Sequence, residues 1–476
     1  MCTIAGFLKT EKGPLPAHRI QRLLEGIDIR GRDAFGCVYL LDGNFIRLTT
    51  NTKEELLLHV KALPLNAVDG LWVTARAIPA SERVAGRIEI LRDTQPFCNN
   101  RFVVSHNGII ANDKELSERY QINRVSPVDT SIIPELLSQI GSDVCIEDIL
   151  QGSFAMCVYD KVLNRLHLTT NFMPLKVDYV EEESCIWWAS DESLLFRGKQ
   201  LDYYTTLSCS GKKKRMEYRK HHNNLDEKKV LVVCSGGLDS TTTAALYKAI
   251  GYDVSLLHIR YGQEAEKAEE IATANIATYM HVDRYVLEAA VLLKQIGCAS
   301  PLLGDVDRGE RHWDMESTYS YVGARNLIFA SMGLSLAEKL GIGVVSLGLN
   351  IDDSSYPDNN VTFVDELDKV AKVSLNWNNQ IRVTAPFVHL TKKEIIEVGV
   401  EVDSPFHLQV SCYYPEIVGK DIVNCGACGC DKLREYSFKA LGLIDPVKYK
   451  QEPSWDSCVN TINQKGGIPY FSYLRI

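Results

Sequence analysis

No run of apolar residues in this chain approaches the roughly 18 needed to cross a bilayer, so the sequence offers no candidate membrane span. Its first residues, MCTIAGFLKTEKG, have neither the basic start nor the apolar centre and small-residue cleavage site of a secretory leader, and a cytosolic enzyme is expected. Positive charge is also scarce. The 52 Lys and Arg against 61 Asp and Glu give a net charge of -9, which argues against indiscriminate nucleic-acid binding. One local exception, SGKKKRMEYRKHHNN from Ser210, reads as a solvated linker. The GxxxxGK[ST] and GxGxxG glycine motifs are missing, and so are internal repeats and low-complexity tracts. Cysteine, in contrast, is plentiful at 14. In a cytosolic chain these do not make a disulfide framework, and only those with chemical neighbours merit a role.

At 476 residues the chain exceeds one ordinary hydrophobic core, and two or three domains are expected. Residues 1–204 read as short β-like runs, among them CVYLLDGNFIRLTT, GLWVTARAI, FVVSHNGII, SFAMCVYD and RLHLTTN, with a helical run at VDTSIIPELLSQIG. Layered sheet with helices outside is expected there. Residues 205–228 are polar and basic and read as a linker. From 229 to 448 strand and helix alternate: KKVLVVC, then the turn SGGLDS, the helix TTTAALYKAIG and the strand DVSLLHI. Continued through NLIFASMGLSLAEKLG and GVVSLGLN, this predicts an α/β domain on a doubly wound parallel sheet. Residues 449–476 form a tail expected to pack between the domains or mediate assembly.

Cys2 follows Met1. Removal of Met1 would leave a thiol and a free α-amine on one residue, and an amine of pKa ~8 can act as the base that activates the nucleophile. The neighbouring motifs strengthen this reading. MCTIAGF, RGRDAFG, VTARAIP, SHNGIIAN, PVDTSIIPELL and QGSFAMCVYD occur in the order and spacing of the class II, N-terminal-nucleophile glutamine amidotransferases, which residues 1–204 resemble over nearly all their length. The resemblance implies an Ntn-hydrolase αββα sandwich, L-glutamine as substrate and Cys2 as the nucleophile on its side-chain amide. It also implies Arg76 as partner of the glutamine α-carboxylate, through a bidentate fork, and Asp129 as partner of the α-ammonium. Asn107 and the Gly108 backbone N–H would form the oxyanion hole, while Asn-Gly between apolar runs is also a hairpin-turn signal. Thr3 departs from the family's usual Cys-Gly-Ile and puts a β-branched residue beside the nucleophile.

SGGLDS, residues 235–240, follows a strand and opens a helix, where unpaired N–H groups and the helix dipole favour an anion. Gly236 and Gly237 let the main chain approach a phosphate, and Ser235, Ser240 and Thr241 supply hydroxyls. The motif resembles the PP-loop of the N-type ATP pyrophosphatases, which adenylate a substrate oxygen, release pyrophosphate and let nitrogen or sulfur displace AMP. The resemblance implies ATP with Mg2+, Asp239 helping to hold the metal with the pyrophosphate.

Downstream, RYGQEAEKAEEIA, YVGARNLIF, SLGLNIDDSSYPD, APFVHLTKKEI and the cysteine-bearing VSCYYPE and CGACGCDKLREYSFKALGLIDP resemble, in order, the 7-cyano-7-deazaguanine synthases (the QueC family). The whole chain resembles the fused glutamine amidotransferase–QueC proteins of archaeal or phage type. Two chemistries follow from this resemblance. One converts 7-carboxy-7-deazaguanine to the nitrile with ammonia and ATP; the other adds ammonia to 7-cyano-7-deazaguanine, giving the formamidine of archaeosine, for tRNA or phage DNA modification. The resemblance leaves open a free base or one in nucleic acid, with a guanine transglycosylase as a further partner. A homo-oligomer is expected, in the host cytoplasm if the chain is phage-encoded.

Position by position, Tyr261 and Gln263 match the family's YGQ, and Arg325 and Asn326 its RN, for phosphate or substrate contact. Asp353, Tyr356 and Asp358 lie in its substrate-side loop. His389 and Lys392 match HLTK, where a lysine would neutralise charge on the departing pyrophosphate. Gly323-Ala324 stands where the family usually has Pro-Gly. Two other readings compete: an asparagine synthetase-like amide ligase, disfavoured by the cysteine region, and a catalytically degenerate deazaguanine-binding protein, disfavoured by the intact Cys2, Arg76, Asp129 and SGGLDS.

The region 411–434 completes the pattern. Cys412, Cys425 and Cys428 fall where the resembling synthases hold a structural Zn2+, but the third place of the repeat carries Asp431, with Cys430 one step early. Tetrahedral zinc accepts thiolate or carboxylate. The expected set is Cys412, Cys425, Cys428 and Cys430, with Asp431 as the alternative to Cys430.

Overall fold

The computed structural model describes residues 2–453 apart from 12, 14, 79–90, 142–144, 182–183, 211–215, 297–300, 304–320, 354–355 and 377. The tail from 454, with its expected role, lies outside the described residues, as does the whole KKKR run. The chain forms two compact units, 1–222 with 376–378, and 223–375 with 379–476.

The first unit is built on two antiparallel sheets. One has seven strands, in the order Lys199–Gln200, Lys176–Val180, Cys185–Ala189, Thr3–Lys9, Val68–Arg76, Ala34–Leu41 and Asn44–Thr50. The other has six, in the order Met216–Lys220, Thr205–Ser210, Arg165–Thr170, Gly152–Asp160, Phe102–Ile110 and Phe97–Cys98. Side chains alternate across a strand, and Thr3–Lys9 uses both faces. Ile4 and Leu8 join Trp72, Trp188, Val103 and Leu168 in an apolar layer fed by both sheets. Ala5 and Phe7 face the other way, against Leu23 and Leu56 of the helices Ala17–Glu25 and Lys53–Lys61. The helix Ile133–Ile140 covers the far sheet, its Leu136 and Leu137 packing on Phe102 and Phe154. Each such buried side chain is worth about 1.5–3 kcal/mol, and the layering is the expected αββα sandwich.

Two expectations are corrected here. Residues 205–228 are not a linker: Thr205–Ser210 pairs with both Arg165–Thr170 and Met216–Lys220, and Asp226 already begins the next unit's first strand. The polar composition had two sources, the buried Thr205 and Thr206 beside Leu207 and Cys209, and a charged edge strand of the kind that discourages further pairing. Asn107-Gly108 is not a hairpin turn either, since both lie within a strand opposite Ala155 and Phe154.

In the second unit five parallel strands run in the order Asp283–Glu288, Asp253–Arg260, Asp226–Val233, Ile342–Leu347 and Arg382–Thr384. Val230, Leu231, Val232, Val344 and Val345 are fully buried, as strands covered on both faces must be. Chain order reverses between Asp226–Val233 and Ile342–Leu347, and open parallel sheets bind ligands beyond the carboxyl ends of strands at such a reversal. SGGLDS leaves the first of these two strands, and Asn350–Asp353 follows the other. A small sheet of Glu416–Val418, Asp421–Asn424 and Lys448–Tyr449 carries the cysteine region. No helix among the described residues is long and apolar enough to cross a membrane.

Candidate functional site

In the first unit, antiparallel pairing sets Thr3 opposite Ala75, which brings Cys2 and Arg76 to the same end of adjacent strands. Burial raises the Cys2 thiol, while a hydrogen bond from the Ala77 N–H and the charge of Arg76 oppose it. Asp129 also acts on that thiol. Its carboxylate is held by the Ile110 N–H at 2.7 Å and the Thr130 N–H at 2.7 Å. Gly108 has φ +138, and a Cβ there would stand 1.9 Å from the Ser153 carbonyl oxygen, so the position admits only glycine. Asn107 is fully buried, yet neither side-chain amide atom has a hydrogen-bond partner. Such a group costs about 1–3 kcal/mol while unpaired, which fits a donor reserved for an oxyanion.

In the second unit the glycine loop is gripped from two sides. Gly236 has φ +85, and a Cβ there would press on Ala272 and Thr273. Val410 N–H donates to Gly236 O at 2.9 Å, and Ser411 Oγ accepts the Leu238 N–H at 3.3 Å. Asp239, on the first turn of the helix Leu238–Ala249, is bonded to Lys392 Nζ. Asn350 Nδ2 bridges Asp239 Oδ2 at 3.2 Å and Asp353 Oδ2 at 2.8 Å. Lys392 is fixed as the first residue of its helix by the Thr391/Glu394 capping box, and its N–H donates to Asp352 at 2.8 Å. Burial works to lower the Lys392 ammonium, but Asp239 and Asp353 outweigh it and hold it charged well above its ordinary range. Asp239 Oδ1 has no partner, so an oxygen remains for a cation.

Asp353, 3.8 Å from Lys392 Nζ, also lines a cleft with Tyr321, Val322, Arg325, Asn326, Tyr356, Asp358, Asn359 and Tyr413. The structure thus collects Arg325, Asn326, Asp353, Tyr356 and Asp358 around one cavity. Asp358 Oδ2 accepts the Asn326 N–H at 2.9 Å and caps the helix Arg325–Leu340. Tyr261 and Gln263 stand behind this lining: Arg325 donates to the Tyr261 hydroxyl at 3.2 Å, and Gln263 donates to Glu269 at 2.7 Å. His389 lies in the turn before Thr391, also outside the lining. The departure at Gly323-Ala324 has a physical consequence, since Ala324 is left-handed at φ 52, where a glycine would be unstrained. Sequence reasoning missed Asn350, Asn359, Tyr321, Tyr413 and Glu269. Only Tyr413, next to a candidate metal ligand, carried a local signal.

The metal candidate is corrected. Cys412, Cys425, Cys428 and Asp431 have ligand atoms all within 4.8 Å of one another, and Cys430 is not in the group. The reason is helical geometry. The helix begins at Gly429, and successive residues on it are rotated by about 100°. Asp431 therefore turns inward, accepting the Gly426 N–H at 2.9 Å, whereas Cys430 is hydrogen-bonded to Tyr413 and faces Lys392. Cys412 and Cys428 Sγ are 4.0 Å apart, and Cys425 Sγ lies 3.3 Å from Asp431 Oδ2. A zinc tetrahedron has edges of about 3.8 Å between sulfurs and about 3.6 Å between sulfur and oxygen, so the set fits zinc. The Cys425 N–H donates to Cys412 Sγ at 3.1 Å and the Cys428 N–H to Cys425 Sγ at 3.3 Å. Those bonds stabilise thiolates.

Comparison with known proteins agrees with both halves. Residues 229–442 match the family model of the queuosine biosynthesis protein QueC, and residues 81–197 match that of a glutamine amidotransferase domain. A protein of Sulfurisphaera tokodaii called 7-cyano-7-deazaguanine synthase 2 is 35% identical over 94% of this chain and 100% of its own length. A 7-cyano-7-deazaguanine synthase of Saccharolobus solfataricus is 33% identical over 95% of this chain and 100% of its own. One from Nautilia profundicola is 34% identical over 45% of this chain, which is 95% of that protein; it matches one half alone. With two relatives matched from end to end and both halves recognised separately, the chain belongs to the 7-cyano-7-deazaguanine synthase family, as a glutamine-dependent, ATP-using enzyme of deazaguanine biosynthesis that carries its own amidotransferase domain.

Proposed function

We propose that this chain converts 7-carboxy-7-deazaguanine to its 7-cyano form with glutamine as the nitrogen source. Cys2 Sγ attacks the glutamine amide and releases ammonia, leaving a thioester that water hydrolyses to glutamate. Arg76 and Asp129 hold the substrate's α-groups, and Asn107 with Gly108 N–H receives the oxyanion. In the other half a base carboxylate oxygen attacks the α-phosphorus of ATP and expels pyrophosphate, with Lys392 beside the leaving charge. Ammonia then displaces AMP to give the amide. A second ATP activates the amide oxygen, and loss of AMP and protons leaves the nitrile. Asp239 and Asp353 are the carboxylates that would hold magnesium with the pyrophosphate. Cys412, Cys425, Cys428 and Asp431 would hold structural zinc.

The observation that carries this reading is Asp353, which faces Lys392 and also lines the cleft, so the nucleotide end and the substrate cavity share a wall. The end-to-end relatives' names support the nitrile product over the formamidine. The test is purified protein with glutamine, ATP–Mg and either 7-carboxy- or 7-cyano-7-deazaguanine, read by mass spectrometry. Nitrile from the carboxylate is expected. Formamidine from the nitrile, or aspartate consumed with neither base changed, would sink the proposal. Cys2→Ala should abolish glutamine use and keep turnover with added ammonia.

A further inference from the structure

One buried acceptor in the cleft has no donor. Asn359 is 6% exposed and lines the cavity, but its Oδ1 is without a hydrogen bond. Two donors of the lining are spent elsewhere: Asn326 Nδ2 donates to the Asp358 carbonyl at 2.9 Å and Arg325 Nη1 to the Tyr261 hydroxyl at 3.2 Å. An acceptor cut off from water and left unpaired is costly, so this position calls for an N–H from a ligand. A second observation describes that ligand's shape. The rings of Tyr321 and Tyr356 lie within 15° of parallel with centroids 6.2 Å apart, and both line the same cleft. Two near-parallel rings in one lining offer aromatic surface on which a flat conjugated ring can lie. The Asn359 N–H donates to the Tyr356 carbonyl at 3.1 Å, which ties the amide and one of the rings to a single turn.

We infer that Asn359 is a specificity residue, accepting an exocyclic amino N–H from the edge of a flat heterocycle whose face lies against Tyr321 and Tyr356. The inference rests on the deazaguanine reading, in which the base carries a 2-amino group. Asn359 then selects for that group, because a ring without it leaves Oδ1 unpaired, and sites built around a hydrogen bond reject analogues that cannot make it.

The test uses the full chain and two bases, 7-carboxy-7-deazaguanine and its analogue lacking the 2-amino group, and reads kcat/KM for each along with KM for ATP. The wild type should prefer the amino base by roughly 10- to 100-fold. Asn359→Leu, and the smaller Asn359→Ala, should bring that ratio within about threefold of unity while the KM for ATP stays close to that of the wild type. Asn359→Asp keeps an acceptor oxygen and should keep the preference. Tyr356→Leu should raise KM for both bases and leave their ratio alone. A wild type that turns over neither base overturns the nitrile reading itself. Turnover of the amino base with an undiminished preference in Asn359→Leu and Asn359→Ala overturns the assignment of Asn359.

Discussion

Replacing Asp431 and Cys430 one at a time separates two metal sites that differ by a single helical step. The structure puts Asp431 among three cysteine sulfurs and turns Cys430 towards Tyr413 and Lys392. Structural zinc sites bind with about 10–16 kcal/mol at neutral pH, and an equal division over four ligands gives roughly 2.5–4 kcal/mol for each. Asp431→Ala should therefore weaken zinc by roughly 10²- to 10³-fold, and Cys430→Ser should leave the affinity unchanged. Competition against a chromophoric chelator gives the constants, and metal analysis of protein purified without chelator gives occupancy. Tight zinc in Asp431→Ala, with loss in Cys430→Ser, would refute the helical argument and restore a site of four cysteines. Less than about half an equivalent of zinc in the wild type would reject the site altogether.

Asp239→Asn breaks a pair with Lys392 in which both side chains are mostly buried. With the leaving charge less well supported, ATP–pyrophosphate exchange should fall by about 10²-fold or more. Ala324→Gly removes a left-handed alanine at φ 52. That conformation costs an L-residue about 1–2 kcal/mol, and the added freedom of unfolded glycine offsets about half of it, so the melting temperature should rise by a few degrees. Burial pushes the Glu269 carboxyl up to about 7, opposed by Gln263 and Arg325. A raised carboxyl contributes stability that is complete below its unfolded pKa and is lost as pH rises through 7. Glu269→Gln should thus gain melting temperature over the wild type at pH 8 and not at pH 4.

The sequence revealed what depends on chain order and failed where contacts are distant. The sheet-layered first half, the strand–helix alternation of the second and the strand that launches SGGLDS were legible because strand runs and strand–turn–helix patterns are local. The stretch 205–228 was misread because composition does not separate a charged edge strand from a linker, and only pairing with Arg165–Thr170 decides it. Asn107-Gly108 carried the chemistry of a turn but lies in a strand, where φ +138 at Gly108 lets the backbone approach Ser153. Asn350 and Glu269 were invisible: each acts through a partner several residues away or on another segment, Asp239 for one and Gln263 for the other. The expected set took Cys430 with Asp431 only as the alternative, a choice that ignored the helix starting at Gly429.

That helix also explains why a metal site belongs beside a phosphate loop. Cys412 is preceded by Ser411, whose Oγ accepts the Leu238 N–H, and by Val410, whose N–H holds Gly236 O. Cys412 is followed by Tyr413, which lines the cleft. On the ligand helix, Arg434 donates to Ser411 Oγ at 3.4 Å and Gln409 Oε1 at 2.9 Å and is paired with Asp445 at 2.7 Å, while Cys430 faces Lys392. All four ligands come from protein, so no coordination position is left open for substrate, and zinc would act by fixing backbone. Its removal should therefore appear first as a weaker grip on nucleotide. Chelated full-length protein should bind an ATP analogue at least about tenfold more weakly, in line with the loss caused when support is removed from a metal site, and glutamine hydrolysis at Cys2 should persist. Unchanged nucleotide affinity in zinc-free, folded protein would show that the glycine loop holds its shape without the cysteine knuckle.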